Sequence, residues 1–284
     1  MTVLVTAATG TVGRGVVDRL LAEGREVRAL TRDPASAGLP AEVEVVAGDL
    51  TRPHELTAAF DGVDRMYYLG AIIDPAHAVD DASAFLALAA EAGVRRVVHL
   101  SGSAVTYRRA GSFELLAEIE AVVEASSPEW THVRPGEFAT NKLDVWGHSI
   151  RTEGVVRNPF PDGTGVPVHE ADIAETAAIA LLEDGHHGRA YTLTGPQLLT
   201  HREQAAAVAA GLGRELRFEA QTYGQARRAW IEAGMPAEIA EYILGYQAEY
   251  AEEPPRVSPD FERVTGRPGR TLAEWARDHR ADLT

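Results

Sequence analysis

The sequence contains no cysteine, and Lys142 is the only lysine among its 27 basic residues. Without cysteine there can be no disulfide, no thiol nucleophile and no thiolate metal site. The net charge of −15 leaves no basic excess for neutralising phosphates, so a nucleic-acid partner is not expected. No apolar run reaches transmembrane length, and a predicted strand already begins at residue 2. These absences favour a cytoplasmic enzyme that acts on a small molecule.

The N-terminal segment has the order strand, small-residue turn, helix, strand. Thr2–Thr6 is predicted as a strand, Ala7–Gly13 as the turn, and Glu26–Thr31 as a second strand that runs into Arg32. Small residues let the backbone approach a pyrophosphate at the N-terminus of the intervening helix. An acidic residue at position 32 would accept from a free ribose 2′-OH, whereas an arginine matches a 2′-phosphate. The segment therefore predicts an NADP(H) site.

The glycine spacing is incomplete as a fingerprint, because Gly10 and Gly13 match a G-x-x-G-x-x-G pattern but Ala7 stands at its first position. A Gly-rich turn at a purely structural junction is the alternative interpretation. The flanking strands and Arg32 favour the cofactor.

Strands and helices continue to alternate as far as Gly136. A helix capped by Thr51 is predicted, followed by helices over Ala78–Ala92 and Ser112–Ala125. The further predicted strands are Val43–Ala47, Arg65–Leu69, Arg96–Leu100 and Thr131–Arg134. This alternation predicts an α/β fold of the Rossmann type, a doubly wound parallel sheet that binds ligands at the carboxyl ends of its strands.

The regular alternation of strands and helices ends after Gly136. Residues 137–169 are rich in proline and glycine and are predicted to be loops, whereas 170–195 are predicted to return to the core. Later residues are mainly helical, with capping boxes at Thr200-x-x-Glu203 and Thr271-x-x-Glu274. We predict an NADP-binding core of 1–136 with 170–195, and a small, mostly helical substrate-binding cap of 137–169 with 196–284.

Seven short segments, spread from end to end, resemble the NmrA-like, NAD(P)H:quinone-oxidoreductase-like group of atypical short-chain dehydrogenases/reductases. They are VTAATGTVG (5–13), VRALTRDP (27–34), GDL (48–50), VVHLSGS (97–103), VRPG (133–136), HEADIA (169–174) and VTGRP (264–268). The resemblance implies that Thr9–Gly13 hold the pyrophosphate and that Asp49 and Leu50 hold the adenine. The cofactor-binding residues predicted in this way are Thr6, Ala8, Thr9, Gly10, Thr11, Val12, Arg32, Asp49, Leu50, Leu69, Gly70, Ala71, Ser101, Pro135, Gly136, Glu137 and Phe138, the last five flanking the nicotinamide.

The Tyr-x-x-x-Lys pair of most short-chain dehydrogenases is absent. Four residues after Tyr107 stands Gly111, and Lys142 comes only after the sixth strand. Ser101 and Tyr107 are the predicted catalytic residues, the first to hydrogen-bond a carbonyl and the second as a relocated acid. The alternatives are a satisfied turn hydroxyl and a surface or cap-packing tyrosine. No metal site is predicted, because the loop pair His186–His187 lacks further ligands.

The predicted cap is rich in aromatic residues, which suits a flat substrate. The predicted substrate contacts are Ser103, Phe138, Asn141, Trp230, Tyr242 and Tyr246, although packing of the helix that carries the tyrosines is the alternative. An acceptor with an acidic hydroxyl beside its ketone, as in peri-hydroxy aromatic polyketides and quinones, would supply its own proton.

The sequence therefore predicts an NADPH-dependent reductase, monomeric or homodimeric, for a ketone or quinone of an aromatic polyketide-like molecule. The arginine-rich, lysine-poor composition and the resemblance point to tailoring ketoreductases of antibiotic biosynthesis in high-GC bacteria, including angucyclinone reductases. Two alternatives stay open. One is a non-catalytic dinucleotide sensor, favoured by the missing Tyr-Lys pair, and the other is an isomerase or dehydratase that uses the cofactor transiently.

Overall fold

The computed structural model describes residues 1–70, 75–109, 113–126 and 128–284. The strands are β1 (Thr2–Val5), β2 (Glu26–Thr31), β3 (Glu44–Ala47), β4 (Val63–Tyr68), β5 (Arg96–Leu100), β6 (Glu129–Pro135), β7 (Val155–Asn158), β8 (Thr164–Gly165), β9 (Arg189–Leu193), β10 (Leu199–Thr200) and β11 (Arg217–Ala220). The helices are α1 (Thr11–Ala22), α2 (Ala78–Glu91), α3 (Ser103–Tyr107), α4 (Phe113–Ala125), α5 (Asn141–Glu153), α6 (Glu170–Leu182), α7 (His201–Leu212), α8 (Tyr223–Glu232), α9 (Ala237–Glu252), α10 (Asp260–Thr265), α11 (Leu272–Asp278) and α12 (Arg280–Leu283).

Seven strands form one parallel sheet in the order β3-β2-β1-β4-β5-β6-β9. The order reverses between β1 and β4, which is the switch point where doubly wound sheets bind nucleotides. The predicted Rossmann-type fold is confirmed.

The chain divides into two compact units. The first comprises Met1–Pro135, Glu170–Leu193 and Arg263–Gly266, and the second comprises Gly136–His169, Thr194–Glu262 and Arg267–Thr284. Residues 263–266 therefore lie in the first unit, although the sequence interpretation placed all of 196–284 in the cap.

The first unit has a buried cluster where the sheet meets α2 and α4, which includes Met66, Val97, Phe85 and Ile119. The second unit has two clusters. One gathers α5, α7 and α11 around Trp146 and Trp275, and the other gathers α8 and α9 around Trp230. Within the described residues, no helix combines the length and apolar character needed to cross a bilayer.

Two predicted segments differ from the structure. The helix expected after Thr51 is a pair of short 3₁₀ turns, Pro53–Glu55 and Thr57–Phe60, which bury Leu56 and Phe60 before β4 begins. Residues 137–169 were expected to be a loop, but they contain α5. Their proline and glycine residues are concentrated at the end of the segment and do not interrupt this helix. Trp146 and Ile150 of α5 are buried four residues apart, a helical spacing that the loop interpretation overlooked.

Candidate functional site

The turn between β1 and α1 brings backbone segments unusually close together. A Cβ added at Gly13 would lie 2.2 Å from the carbonyl oxygen of Ala7, so this helix position requires glycine. Ala7 itself adopts φ +48°, the left-handed region that glycine occupies without cost. Ala7, which replaces the first glycine of the fingerprint, therefore lies where the backbone conformation favours glycine.

Helix α1 begins without a side-chain cap. Its N-cap is Gly10, and its first turn carries no acidic residue. The first N–H groups of a helix have no partner within the helix and lie at the positive end of its dipole. This end of α1 thus fits a pyrophosphate, as the sequence predicted for Thr9–Gly13.

A cavity of about 500 Å³ opens beside this turn in the first unit. Seven predicted cofactor residues line it, namely Thr9, Gly10, Arg32, Asp49, Leu50, Leu69 and Gly70. Four further lining residues were not predicted, namely Ala7, Leu30, Thr31 and Gly48. Each precedes or follows a predicted residue closely, so the ends of β1, β2 and β3 were the available signal.

Arg32 is the one cation among the described residues that line the cavity. It is exposed, directly after the end of β2. After the neighbouring strand β3, the backbone N–H and hydroxyl of Thr51 donate to Asp49 Oδ1 over 3.0 and 2.9 Å. These bonds lower the pKa of Asp49, and the charge of Arg32 acts in the same direction. The cavity therefore offers a fixed carboxylate and a guanidinium that can reach solvent-facing phosphate.

Most of the other predicted residues near the turn are buried. Thr6 is buried, and its hydroxyl accepts a hydrogen bond from the backbone N–H of Leu69 over 2.8 Å. Ala8 and Val12 are also buried, while Thr11 is exposed at the start of α1. Ala71 lies outside the described residues.

Ser101 directly follows β5, which lies next to β4 in the sheet. Its backbone N–H donates to the carbonyl of Val133 on β6 over 2.8 Å, while its hydroxyl oxygen is buried without a hydrogen-bond partner among the described residues. An orphaned hydroxyl at a strand's carboxyl end is consistent with a role toward a ligand. Ser103 is buried at the start of α3, and Tyr107 ends that helix with 40% of its surface exposed.

A second polar cluster in the first unit joins α4 to β5 and β6. His99 and His132 share an Nδ1–Nδ1 hydrogen bond of 3.2 Å, and burial lowers the pKa of both imidazoles. The side chains of His132, Glu120 and Glu124 lie close enough together to offer ligand atoms to one metal ion. However, Arg134 donates to Glu120 over 2.9 Å with Nε and with a second nitrogen to its other oxygen. A cation would have to displace this guanidinium, so the cluster is an ion-pair network.

The second unit buries its own charged group. Lys142 Nζ donates to Glu137 Oε1 over 2.7 Å, and each side chain is only 3% exposed. We call Glu137 and Lys142 the buried clip. The ammonium also lies 4.8 Å from the centre of the Trp146 ring, a cation–π contact. Sequence reasoning named Glu137 as a nicotinamide neighbour but did not foresee this pairing.

Tyr246 lies beside the same segment. Burial and the Glu137 carboxylate raise the pKa of Tyr246 well above its usual value, although a hydrogen bond with the Asn141 side chain opposes this. Tyr246 stands between Tyr242 and Tyr250 in a ladder with ring centres 5.7 and 5.8 Å apart. Tyr242 is 50% exposed, whereas Trp230 packs inside the α8–α9 cluster.

The chain is similar to known NAD(P)H-binding proteins over nearly its whole length. A family described as NAD(P)H-binding matches residues 7–184. The (4-alkanoyl-5-oxo-2,5-dihydrofuran-3-yl)methyl phosphate reductase of Streptomyces griseus subsp. griseus is 38% identical over 281 residues, 98% of this chain and 97% of that protein. The NAD(P)H azoreductase of Xenophilus azovorans is 37% identical over 287 residues, 98% of each chain.

Among solved structures, the triphenylmethane reductase of Citrobacter sp. superposes on this chain with a TM-score of 0.86. It is 21% identical, and the match covers 99% of this chain and 100% of that one. At this level of identity the likeness shows a shared fold.

Proposed function

Since the chain belongs to a family described as NAD(P)H-binding and is an NADP-dependent oxidoreductase, we propose that it is a ketoreductase for aromatic, polyketide-like molecules. The proposed reaction moves a hydride from NADPH to a ketone or quinone carbonyl. The observation that carries the cofactor half of this proposal is the cavity at the β1–α1 turn, with Arg32 at its edge.

The residues of the first unit suit the cofactor. The uncapped start of α1 supplies N–H groups for the pyrophosphate, and Arg32 supplies charge for the 2′-phosphate. Asp49, held by Thr51, would accept from the adenine amino group. Bound NADPH supplies the hydride, and the protein's task is to orient its nicotinamide and exclude water. We propose that Ser101 and Pro135–Phe138 perform that task.

The acceptor half is proposed from the second unit. The tyrosine ladder of α9, with half-exposed Tyr242 at one end, offers aromatic faces to a flat molecule. The relatives are named for a furanone phosphate and for azo compounds. Reductases with such different acceptors are consistent with a site that recognises conjugation and shape more than one functional group.

The proton is proposed to come from the acceptor. Hydride transfer to a carbonyl leaves an alkoxide, and a neighbouring acidic hydroxyl can transfer its proton to that oxygen and be reprotonated by water. Ser101, whose hydroxyl has no hydrogen-bond partner among the described residues, would hydrogen-bond the carbonyl oxygen without acting as the acid. Tyr107, 40% exposed on α3, is a weak candidate for a desolvated acid.

The test follows NADPH absorbance with three acceptors: juglone, its methyl ether, and the triphenylmethane dye malachite green. We expect turnover of juglone, and we expect the methyl ether to bind but to react about a hundredfold or more slowly, as for loss of a general acid. Equal rates for the two quinones would contradict a substrate-derived proton. Tight NADPH binding without turnover of any aromatic acceptor would instead favour the dinucleotide sensor.

A further inference from the structure

The buried clip joins the two ends of a short segment of the second unit, residues 137–142. Glu137 lies just before Phe138, and Lys142 lies just after Asn141. Between them, the backbone N–H of Asn141 donates to the carbonyl of Phe138 over 3.2 Å. The Glu137 carbonyl accepts from the N–H of Val168, so the entry to the segment is fixed as well. The ion pair therefore encloses two of the proposed acceptor contacts in one tight turn.

Stability alone does not account for this pair. Removing two charges from water costs several kcal/mol for each ion, and apolar residues of similar volume are often as stabilising or more so. Both side chains of the clip are only 3% exposed, so this cost applies here. A pair of this kind can instead fix one geometry among several, because a charge has few places in a protein interior where it is compensated.

The residues around the clip pack closely against its atoms. The position of Gly165 is the clearest case, because an added Cβ would lie 2.7 Å from Glu137 Oε2 and 2.8 Å from Gln204 Nε2. The backbone of β8 thus approaches the carboxylate so closely that any other residue type would displace the Glu137 side chain. On the far side, Lys142 rests against the Trp146 ring, a contact made by a compact ammonium.

Asn141 connects the segment to α9, because its side chain hydrogen-bonds the Tyr246 hydroxyl. Three proposed acceptor contacts, Phe138, Asn141 and Tyr246, are therefore tied to one buried ion pair. We propose that Glu137 and Lys142 are positioning residues, whose pairing sets the placement of Phe138 and Asn141 and thereby the acceptor specificity. This inference rests on the proposed function.

The first experiment removes the charges together. In Glu137→Gln/Lys142→Met no buried charge is left unpaired, so the melting temperature is expected to stay near that of the parent. We expect kcat/KM for juglone to fall about a hundredfold, mainly in kcat, because misplacement by about 1 Å has that effect. The NADPH Kd, measured by nicotinamide fluorescence, is expected to change far less than kcat, because the proposed phosphate contacts at the start of α1 and at Arg32 are left intact.

The second experiment keeps both charges and displaces one of them. Gly165→Ala adds a Cβ against two flexible side-chain ends, which can move without unfolding the unit. We expect the ratio of kcat/KM values for juglone and malachite green to change, with cofactor affinity unchanged. Gly224→Ala is the matched control, since its added Cβ meets nothing within 4 Å.

The outcomes separate the two proposals. If the unaltered protein oxidises NADPH with none of the three acceptors, the proposed function fails. If the protein is active but both variants keep its kcat/KM and acceptor preference, even with a lowered melting temperature, the clip is only structural and the inference is wrong. Should the double variant fail to fold, Gly165→Ala alone decides the question.

Discussion

The cavity at the β1–α1 turn and the buried clip hold their shapes by opposite means. The cavity wall consists of strand ends and small residues, with the backbone of the β1–α1 turn packed too tightly for any side chain at Gly13. Its one cation, among the described lining residues, is exposed. The clip instead relies on two full charges that are removed from water and satisfied by each other.

This contrast separates two kinds of vulnerability. A site made of backbone tolerates changes of charge but not of volume, since interiors are close-packed. A site held by a buried ion pair tolerates the loss of both charges better than the loss of one, because the remaining charge has no compensation. Each of the following substitutions tests one side of the comparison.

Loss of one member of the clip is expected to have the largest effect. Lys142→Met leaves Glu137 buried without its partner, and we expect the free energy of unfolding to fall by about 3–5 kcal/mol. Urea denaturation measures this, with Arg202→Met as control, because the Arg202–Asp162 pair is exposed and contributes less than about 1 kcal/mol. A single variant as stable as Glu137→Gln/Lys142→Met would contradict the distinction drawn above.

Loss of the cavity's cation is expected to act on affinity and to leave the fold intact. Arg32→Ala should weaken NADPH binding by about 1.5–3 kcal/mol, roughly tenfold to a hundredfold, while NADH binding hardly changes. Titration of both cofactors measures the preference. Arg52→Ala is the control, because Arg52 also lies near Asp49 but does not line the cavity. Equal affinity of the unaltered protein for NADPH and NADH would remove the role assigned to Arg32.

A single methyl group in the tight turn is expected to cost about 1–3 kcal/mol of stability. In Gly13→Ala the new Cβ must displace the Ala7 carbonyl, which is backbone and cannot rotate away. Cofactor affinity should fall with it, because the turn and the start of α1 shift together. Gly245→Ala, a helical glycine whose added Cβ meets nothing within 4 Å, should be neutral or stabilising. A normal NADPH Kd in Gly13→Ala would mean that the turn is more adaptable than its contacts indicate.

The smallest expected effect is a gain. Ala7→Gly removes the cost of a left-handed alanine, about 1 kcal/mol, which is partly offset by the greater freedom of glycine in the unfolded chain. Thermal unfolding should show a small rise in melting temperature. Ala8→Gly, at a buried neighbour with an ordinary backbone, should show a fall. Two equal falls would indicate that Ala7 is not strained.

The sequence was sufficient for the sheet, and it named most of the residues that line the cavity at the β1–α1 turn, because both depend on local patterns. Arg32 and Asp49 each follow a strand directly, so their position at the sheet edge is determined by the strand alone. The clip could not be predicted in this way. Its partners include Gly165 and Tyr246, which reach Glu137 only through the packing of separate elements.

Elements were misjudged where composition was averaged over too long a segment. Residues 141–153 form α5, although the proline and glycine of the following residues led to a loop interpretation. After Thr51 the predicted helix does not form, and the segment contains only 3₁₀ turns before Gly62 adopts φ +69° and β4 starts.

The order of the strands has a consequence for how the chain acquires its fold. Strand β6 pairs with β9, and Thr131 can meet Arg189 only after the whole of residues 136–188 has been made. During synthesis β6 is therefore an unprotected sheet edge, open to pairing with other chains. Contacts between such distant residues also form slowly. The last strand of the sheet thus sets the interval in which the nascent protein is most prone to aggregate.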